Sequence, residues 1–294
     1  MAGDLIGLKR DRDFSLMPWL LPASIRPDVR ALGRFVRLAE GVAAAPLLSR
    51  LERAERLAAL EALLVAPSNG SRTTTVSSGD EAVVAALRDS FVRHGSAPDG
   101  ALRILRTLQH GSDAPGAGSC CVRSDDVVVH QTWADVLAYC NGVAAPIGRQ
   151  MLSLSGEDLT RCGPPADALC AGMRILKELR DCEGQVTRGA LLCIPASFMR
   201  DASITIHHLS APSARGQTRA VLDRVLDGVD ALLTDAKALV PRVKSRRLRI
   251  YVSAVLCRAR KLAARCRHRD PLKEKVELSR WQRGSCVCLS VLRN

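Results

Sequence analysis

The segment RFVRLAEGVAAAP, residues 34–46, has the spacing of an amphipathic helix, and Pro27 upstream suits the first turn of that helix. Its one carboxylate, Glu40, follows Arg37 by about one helical turn. The next residues, 41–45, are all small and apolar. A helix that enters a core with Arg37 and Glu40 on its surface is either a packing helix with a solvated edge or a site helix that has lost part of its site.

Apolar residues recur at spacings of three and four along most of the chain. This pattern predicts an all-α protein in one domain, because no segment of useful length alternates between apolar and polar residues and no internal repeat is present. Segments rich in Gly, Ser or Pro predict loops over residues 67–80 and 111–124. After the first helix, the predicted helices span residues 47–64, 81–93, 98–109, 132–154, 165–187, 218–237 and 246–267.

The composition also favours closely packed helices. Of the 294 residues, 47% are apolar but only 3% are aromatic, so the core must consist mainly of Leu, Val, Ala and Cys. Residues 1–14 alternate in charge, unlike a signal peptide, and no run approaches the ~18 apolar residues of a membrane span. The eleven cysteines lack zinc-site spacing. We therefore expect a cytoplasmic protein with reduced, mostly buried thiols, including Cys140, Cys170, Cys182 and Cys257.

The net charge of +13 is confined to the C-terminal fifth of the chain. Residues 241–294 contain sixteen Lys or Arg and three acids, whereas the preceding residues contain 27 of each sign. A nucleic-acid interface is disfavoured, because only Tyr251 and Trp281 are interleaved with these charges and no base-reading module is present. The charge instead predicts peripheral contact with anionic lipid headgroups, on the inner face of the membrane.

A second charged cluster lies in RILKELRDCEGQVTRGALLCIP, residues 174–195. On a helix, Arg174, Lys177 and Asp181 share one face, with Glu178 beside it. The same spacing is typical of an ordinary amphipathic helix whose charged side faces water. From the spacing alone, both interpretations stay open.

Four stretches, in order along the chain, form a pattern: DFSLMPWLLPASIRPDVRALGRFVRLAE (13–40), TWADVLAYCNGVAAPIGRQMLSL (132–154), ADALCAGMRILKELRDCEGQVTRGALLCIP (166–195) and RRLRIYVSAVLCRARKLAARCRHRDPLKEKVELS (246–279). Together they resemble the squalene/phytoene synthases, and the last is most similar to the hydroxysqualene synthase branch, which serves hopanoid biosynthesis. The resemblance implies an isoprenoid-synthase-type helical bundle with a central apolar cavity over residues 1–280, followed by a short basic tail, 281–294.

The resemblance also implies a metal site. Members of the family carry two DxxxD motifs on facing helices, whose carboxylates hold Mg²⁺ against a prenyl diphosphate. In this chain Glu40 and Asp181 stand at one position of each motif, whereas Ala44 and Gln185 replace their partners. The resemblance therefore implies that Glu40 and Asp181 are the catalytic and metal-binding residues, that they face each other across the cavity, and that Mg²⁺ is weakly held or dispensable.

Basic residues accompany both motifs. Arg37 and Arg180 match arginines that precede the motifs in relatives, whereas Arg174 and Lys177 stand where relatives often have Gln and Asn. A charge pair about 4 Å apart contributes roughly 4 kcal/mol at an effective dielectric of about 20. We therefore expect these four residues to bind the diphosphate directly, with less metal or none.

Small residues recur every three positions in the helix predicted over 132–154. By resemblance, Gly142, Ala145 and Gly148 line the lipid cavity. Close packing of one helix against another explains the same stripe equally well.

Two functions follow from the resemblance. The first is an enzyme that converts presqualene diphosphate and water to hydroxysqualene and diphosphate. The second is a catalytically impaired paralogue that binds a prenyl diphosphate or a sister synthase, and the replaced aspartates are the feature that favours it. Release of diphosphate from presqualene diphosphate separates the two.

Overall fold

The computed structural model describes residues 18–45, 47–66, 76–111, 121–124, 127–181, 193–209, 215–271, 274 and 276–293. Over these residues the protein is an all-helical bundle with one short hairpin, which confirms the predicted all-α fold. The helices are α1 (Arg26–Ala43), α2 (Arg50–Val65), α3 (Ser78–His94), α4 (Asp99–Gly111), α5 (Trp133–Val143), α6 (Ala145–Leu154), α7 (Leu159–Arg180), α8 (Ala196–Asp201), α9 (Arg215–Asp235), α10 (Leu239–Arg242), α11 (Arg246–His268) and α12 (Arg280–Arg293).

The first helix forms where the sequence predicts it. Pro27 lies in the first turn of α1, and every residue of the predicted apolar face is buried: Val29, Leu32, Phe35, Val36 and Ala39. The second helix begins at Arg50 rather than at 47, because Ser49 and Glu52 form a reciprocal capping box. Leu51 is therefore in the first turn and is 68% exposed.

The single helix predicted over residues 132–154 is two helices, α5 and α6. Pro146 has no N–H to donate to the carbonyl four residues earlier, and its ring would clash with that carbonyl in a continuous helix. The chain therefore bends at Ala144 and restarts with Pro146 in the first turn of α6. Thr132 caps α5 through a capping box with Asp135.

Helix α7 begins before the predicted start at residue 165. Asp158 caps its first turn by accepting from the N–H groups of Thr160 and Arg161. Pro164 and Pro165 consequently lie inside the helix, where each proline removes one backbone hydrogen bond. The Arg161 carbonyl accepts instead from the Arg242 guanidinium at 2.8 Å. The predicted C-terminal part of this helix, residues 182–187, lies outside the described residues, as does Cys182.

The hairpin lies partly in the segment predicted as a loop over 111–124. Strand β1 (Cys121–Ser124) pairs antiparallel with β2 (Val127–His130), and Val122 lies opposite Val129. Three consecutive valines, residues 127–129, favour this extended backbone.

The described residues contain two groups of buried apolar side chains, which meet where α5 and α6 pack on α4. Helices α1 to α4 supply most of one group, and helices α5 to α11 supply most of the other. Helix α7 packs on α6, α9 and α11, and α12 packs along α11. The eight cysteines whose side chains are described are free thiols, as expected. None of the described helices is both long enough and apolar enough to span a bilayer.

Gly142 is a packing position. A Cβ at Gly142 would overlap the side chain of Thr107 on α4, including its Cβ, so rotation of Thr107 gives no relief. We expect Gly142→Ala to destabilise the protein by about 1–3 kcal/mol through overpacking. Gly284→Ala is the control, because a Cβ at Gly284 in α12 meets no atom within 4 Å. Urea denaturation should show the loss only for Gly142→Ala; equal stabilities for both variants would contradict this packing role.

Candidate active site

An apolar cavity of about 250 Å³ lies between α1, α6, α7, α10 and α11. Most of its wall is aliphatic or contains sulfur: Val36, Val143, Ala144, Ile147, Met151, Leu152, Ala166, Leu169, Cys170, Met173, Leu239, Leu248, Val252 and Val255. Among the described residues, three helices bring charge to it, and α11 contributes Arg258. Helix α1 contributes Arg37 and Glu40, and helix α7 contributes Arg174 and Lys177.

The Glu40 carboxylate joins α1 to α7. Its Oε1 accepts a hydrogen bond from Arg174 Nη1, and its Oε2 accepts from Lys177 Nζ at 3.0 Å. Both cations come from one face of α7, since residues three apart on a helix are neighbours. Each oxygen of Glu40 is thus already bound to a cation.

Arg174 is also held on its other side. Its Nη2 donates to Glu178 Oε1 at 2.7 Å and to the Tyr139 hydroxyl at 3.0 Å. The guanidinium lies 5.6 Å from the centre of the Tyr139 ring, within cation–π range. Arg174 and Glu178 are only 12% and 6% exposed, so the pair is held largely away from water. Residues Glu40, Arg174, Lys177, Glu178 and Tyr139 are called the ion-pair cluster below.

Burial and pairing have opposite effects on the carboxylates of this cluster. Burial alone would raise the pKa of Glu40, but Arg174 and Lys177 outweigh it and hold that pKa at about 2. For Glu178, burial prevails over the attraction of Arg174, and its pKa is raised. Burial likewise raises the pKa of Tyr139, so its hydroxyl remains a neutral hydrogen-bond partner.

The predicted site residues fall into two groups. Arg37, Glu40, Arg174 and Lys177 lie together in the cavity wall. The other two lie elsewhere. Arg180 donates to the Val276 carbonyl, and neither it nor Asp181 belongs to the cavity wall.

The expectation that Glu40 faces Asp181 across the cavity stays a prediction, because residues 182–192, which follow Asp181, lie outside the described residues. Helix α7 ends at Arg180, so Asp181 caps its C-terminus and is exposed, whereas Glu40 is only 15% exposed beside the cavity. The partners of Glu40 are Lys177 and Arg174, four and seven positions before Asp181 on α7.

Of the three small residues predicted to line the cavity, Gly142, Ala145 and Gly148, only one belongs to its wall. Gly148 lines the cavity, where a Cβ would press on Cys170. Gly142 packs on Thr107 instead, and Ala145 is buried without belonging to the wall. The bend between α5 and α6 turns their neighbours, 143, 144 and 147, toward the cavity.

The described residues at Glu40 do not fit Mg²⁺. This ion requires near-octahedral oxygen ligands, yet both oxygens of Glu40 are bound by Arg174 and Lys177, and Ala44 supplies none. Over the described part of the chain, no three His, Cys, Asp or Glu residues could hold a metal together. Gln185 lies outside that part.

Solved structures with this bundle belong to the isoprenoid-synthase fold. A dehydrosqualene synthase in complex with a ligand is similar over 94% of this chain and 89% of its own, with a TM-score of 0.72 and 18% identity. A squalene synthase from Alicyclobacillus acidocaldarius is similar over 85% of this chain and 97% of its own, with a TM-score of 0.56 and 18% identity.

The chain belongs to the squalene/phytoene synthase family, whose sequence pattern matches residues 8–282. It is 30% identical to a hydroxysqualene synthase of Sinorhizobium fredii, over 92% of this chain and 85% of that protein. It is 28% identical to a hydroxysqualene synthase of Rhodopseudomonas palustris, over 92% of this chain and 84% of that protein.

Sequence reasoning missed three polar residues of this region. Tyr139 carries no periodic signal for its contact with Arg174, which is 35 positions away. Tyr251 and Arg258 line the cavity from α11, where the apolar pattern conceals them. Their seven-residue spacing places them on one face of that helix and was the available signal.

Removal of the Arg174 charge should strongly destabilise the protein. Arg174→Met would leave Glu40 and Glu178 buried beside each other without the guanidinium that pairs with both, so we expect a loss of about 3–5 kcal/mol. Arg106→Met is the control, because Arg106 is 59% exposed in its pair with Glu61 and should cost at most ~1 kcal/mol.

The same experiment includes a rescue. Adding Glu40→Gln to Arg174→Met removes one unpaired carboxylate and should recover part of the loss in urea denaturation. A loss below about 1 kcal/mol for Arg174→Met would show that the ion-pair cluster does not hold α1 to α7.

Proposed function

We propose that this protein binds presqualene diphosphate and converts it, with water, to hydroxysqualene and diphosphate in isoprenoid (hopanoid) biosynthesis. The observation that carries the proposal is the position of Arg37, Arg174 and Lys177, together with Arg258, in the wall of a largely apolar cavity. A lipid diphosphate needs both environments. The hydroxysqualene synthases that resemble this chain along most of its length support the choice of reaction.

The reaction places definite demands on these side chains. The carbon–oxygen bond to diphosphate breaks, and its electron pair leaves with the diphosphate as negative charge. Arg37, Arg174 and Lys177 offset this charge, and offsets of this kind are largest where water is excluded. The remaining carbocation rearranges in the apolar cavity, the oxygen of water bonds to it, and that water loses a proton.

Activity with presqualene diphosphate tests this proposal. Purified protein should release diphosphate and form hydroxysqualene, measured by phosphate-coupled assay and mass spectrometry, in Mg²⁺ and in EDTA. Lys177→Met should slow turnover tenfold or more, since each ~1.4 kcal/mol of lost transition-state stabilisation gives a factor of ten. Lys237→Met, an exposed lysine outside the cavity wall, should leave the rate unchanged.

A second candidate function is binding without turnover, alone or together with a sister synthase. The pairing of Glu40 with two cations favours it, because this carboxylate is not available to a metal. The assay separates the two candidates. Tight binding of presqualene diphosphate, with no diphosphate release above background in Mg²⁺ or EDTA, would remove the enzymatic proposal.

We also propose peripheral contact with the inner face of the membrane, where a hydrocarbon product must be delivered. Helix α12 turns Trp281 and Leu292 outward, 89% and 82% exposed, on a helix with arginines and no acids. Exposed apolar residues flanked by arginine are typical of helices that lie in the bilayer interface.

Flotation with vesicles tests this contact. The protein should float with anionic vesicles at low salt and not with zwitterionic ones. Leu292→Glu should abolish flotation, whereas Val92→Glu on α3 should not, although both residues are 82% exposed. Flotation that is unchanged by Leu292→Glu would count against α12 as the contacting helix.

A further inference from the structure

We propose that the Glu40 carboxylate is a built-in counter-anion, which occupies the place of a diphosphate between Arg174 and Lys177 and must be displaced when one binds. The inference deepens the proposed function, because it concerns the same cations. It assigns Glu40 a role opposite to that of a metal ligand, since the residue competes with the diphosphate rather than helping to hold it.

The first support is the geometry of Glu40. Its two oxygens are divided between two cations, one accepting from Arg174 and the other from Lys177. Two anionic oxygens that each accept from a separate cation reproduce the way a diphosphate is held by paired basic residues. All three side chains belong to the cavity wall, so an entering anion meets this arrangement directly.

The second support is that Arg174 would stay in position without Glu40. Glu178 and Tyr139 hold the guanidinium through its Nη2, on separate contacts from those of Glu40. The Nε of Arg174 is buried and has no hydrogen-bond partner among the described residues. Displacement of Glu40 would therefore leave an anchored guanidinium with donors for a new anion, one of which is at present unsatisfied.

The third support is the balance of charge. With Glu40 in place, Arg174 and Lys177 are paired with two carboxylates, Glu40 and Glu178, so these two cations offer a diphosphate no net positive charge. Removing the charge of Glu40 leaves the same two cations with one carboxylate, while Arg37 and Arg258 remain in the cavity wall. In a poorly solvated site such a change alters anion affinity steeply.

The two roles considered for Glu40 predict opposite effects of Glu40→Gln on diphosphate affinity. If Glu40 were a metal ligand, Glu40→Gln would weaken diphosphate binding, and the weakening would appear only in Mg²⁺. If Glu40 is the counter-anion, Glu40→Gln should tighten binding, and EDTA should not remove the gain. Glutamine keeps the shape of the side chain while it removes the charge.

Isothermal titration calorimetry with inorganic pyrophosphate measures this change in affinity and does not depend on catalytic turnover. In EDTA we expect Glu40→Gln to bind pyrophosphate at least tenfold more tightly than the unmodified protein. The matched control is Glu61→Gln, which removes a carboxylate paired with Arg106 on α4, outside the cavity wall, and should leave the affinity unchanged. The double variant Glu40→Gln/Lys177→Met should lose the gain, which ties it to this site.

Several results would overturn the inference. These are weaker or unchanged pyrophosphate binding by Glu40→Gln, an equal gain in Glu61→Gln, or a gain that survives Lys177→Met. Glu40→Ala serves as a second variant if Glu40→Gln does not fold, as judged by thermal unfolding. Tighter pyrophosphate binding without conversion of presqualene diphosphate would support the role of Glu40 and refute only the proposed reaction.

Discussion

The ion pair between Glu40 of α1 and Arg174 of α7 constrains the rest of the site. Taking either charge out of water costs several kcal/mol, and only a well-placed partner offsets this cost. Helices α1 and α7 must therefore meet in the one register that joins the two side chains. The cavity lies beside this contact, and Arg37 and Lys177 reach it because they are one turn away on the same two helices.

A direct salt bridge links the helices differently from a shared metal ion. Two sets of carboxylates on facing helices repel each other and need cations between them, whereas Glu40 and Arg174 attract each other without any third component. Glu178 and Tyr139 complete the hydrogen bonds of the guanidinium, so the buried charge is compensated from both sides. The site is therefore already organised electrostatically in the protein alone.

The sequence predicts the local features of this site but not its pairing. Helix α1 and the charged face of α7 follow from spacing, because helical periodicity depends on nearby residues only. The partner of Glu40 is 134 positions away, and no spacing rule connects the two. The family resemblance singled out Glu40 and paired it with Asp181 across the cavity, whereas the contacts that Glu40 makes in the structure are with Arg174 and Lys177. Pro146, visible in the sequence, could have predicted the break between α5 and α6.

The side chains of the cavity wall limit how the protein could stabilise the carbocation of the proposed reaction. Aromatic faces attract cations, yet over the described residues Tyr251 is the one aromatic side chain in this wall, consistent with the low aromatic content of the chain. The sulfur atoms of Met151, Met173 and Cys170 are polarisable but offer weaker support. In the proposed reaction, stabilisation would then come mainly from holding the departing diphosphate close to the carbocation it leaves. Control of that anion through Arg174 and the proposed counter-anion Glu40 is consequently where this chain would set the rate of the proposed reaction.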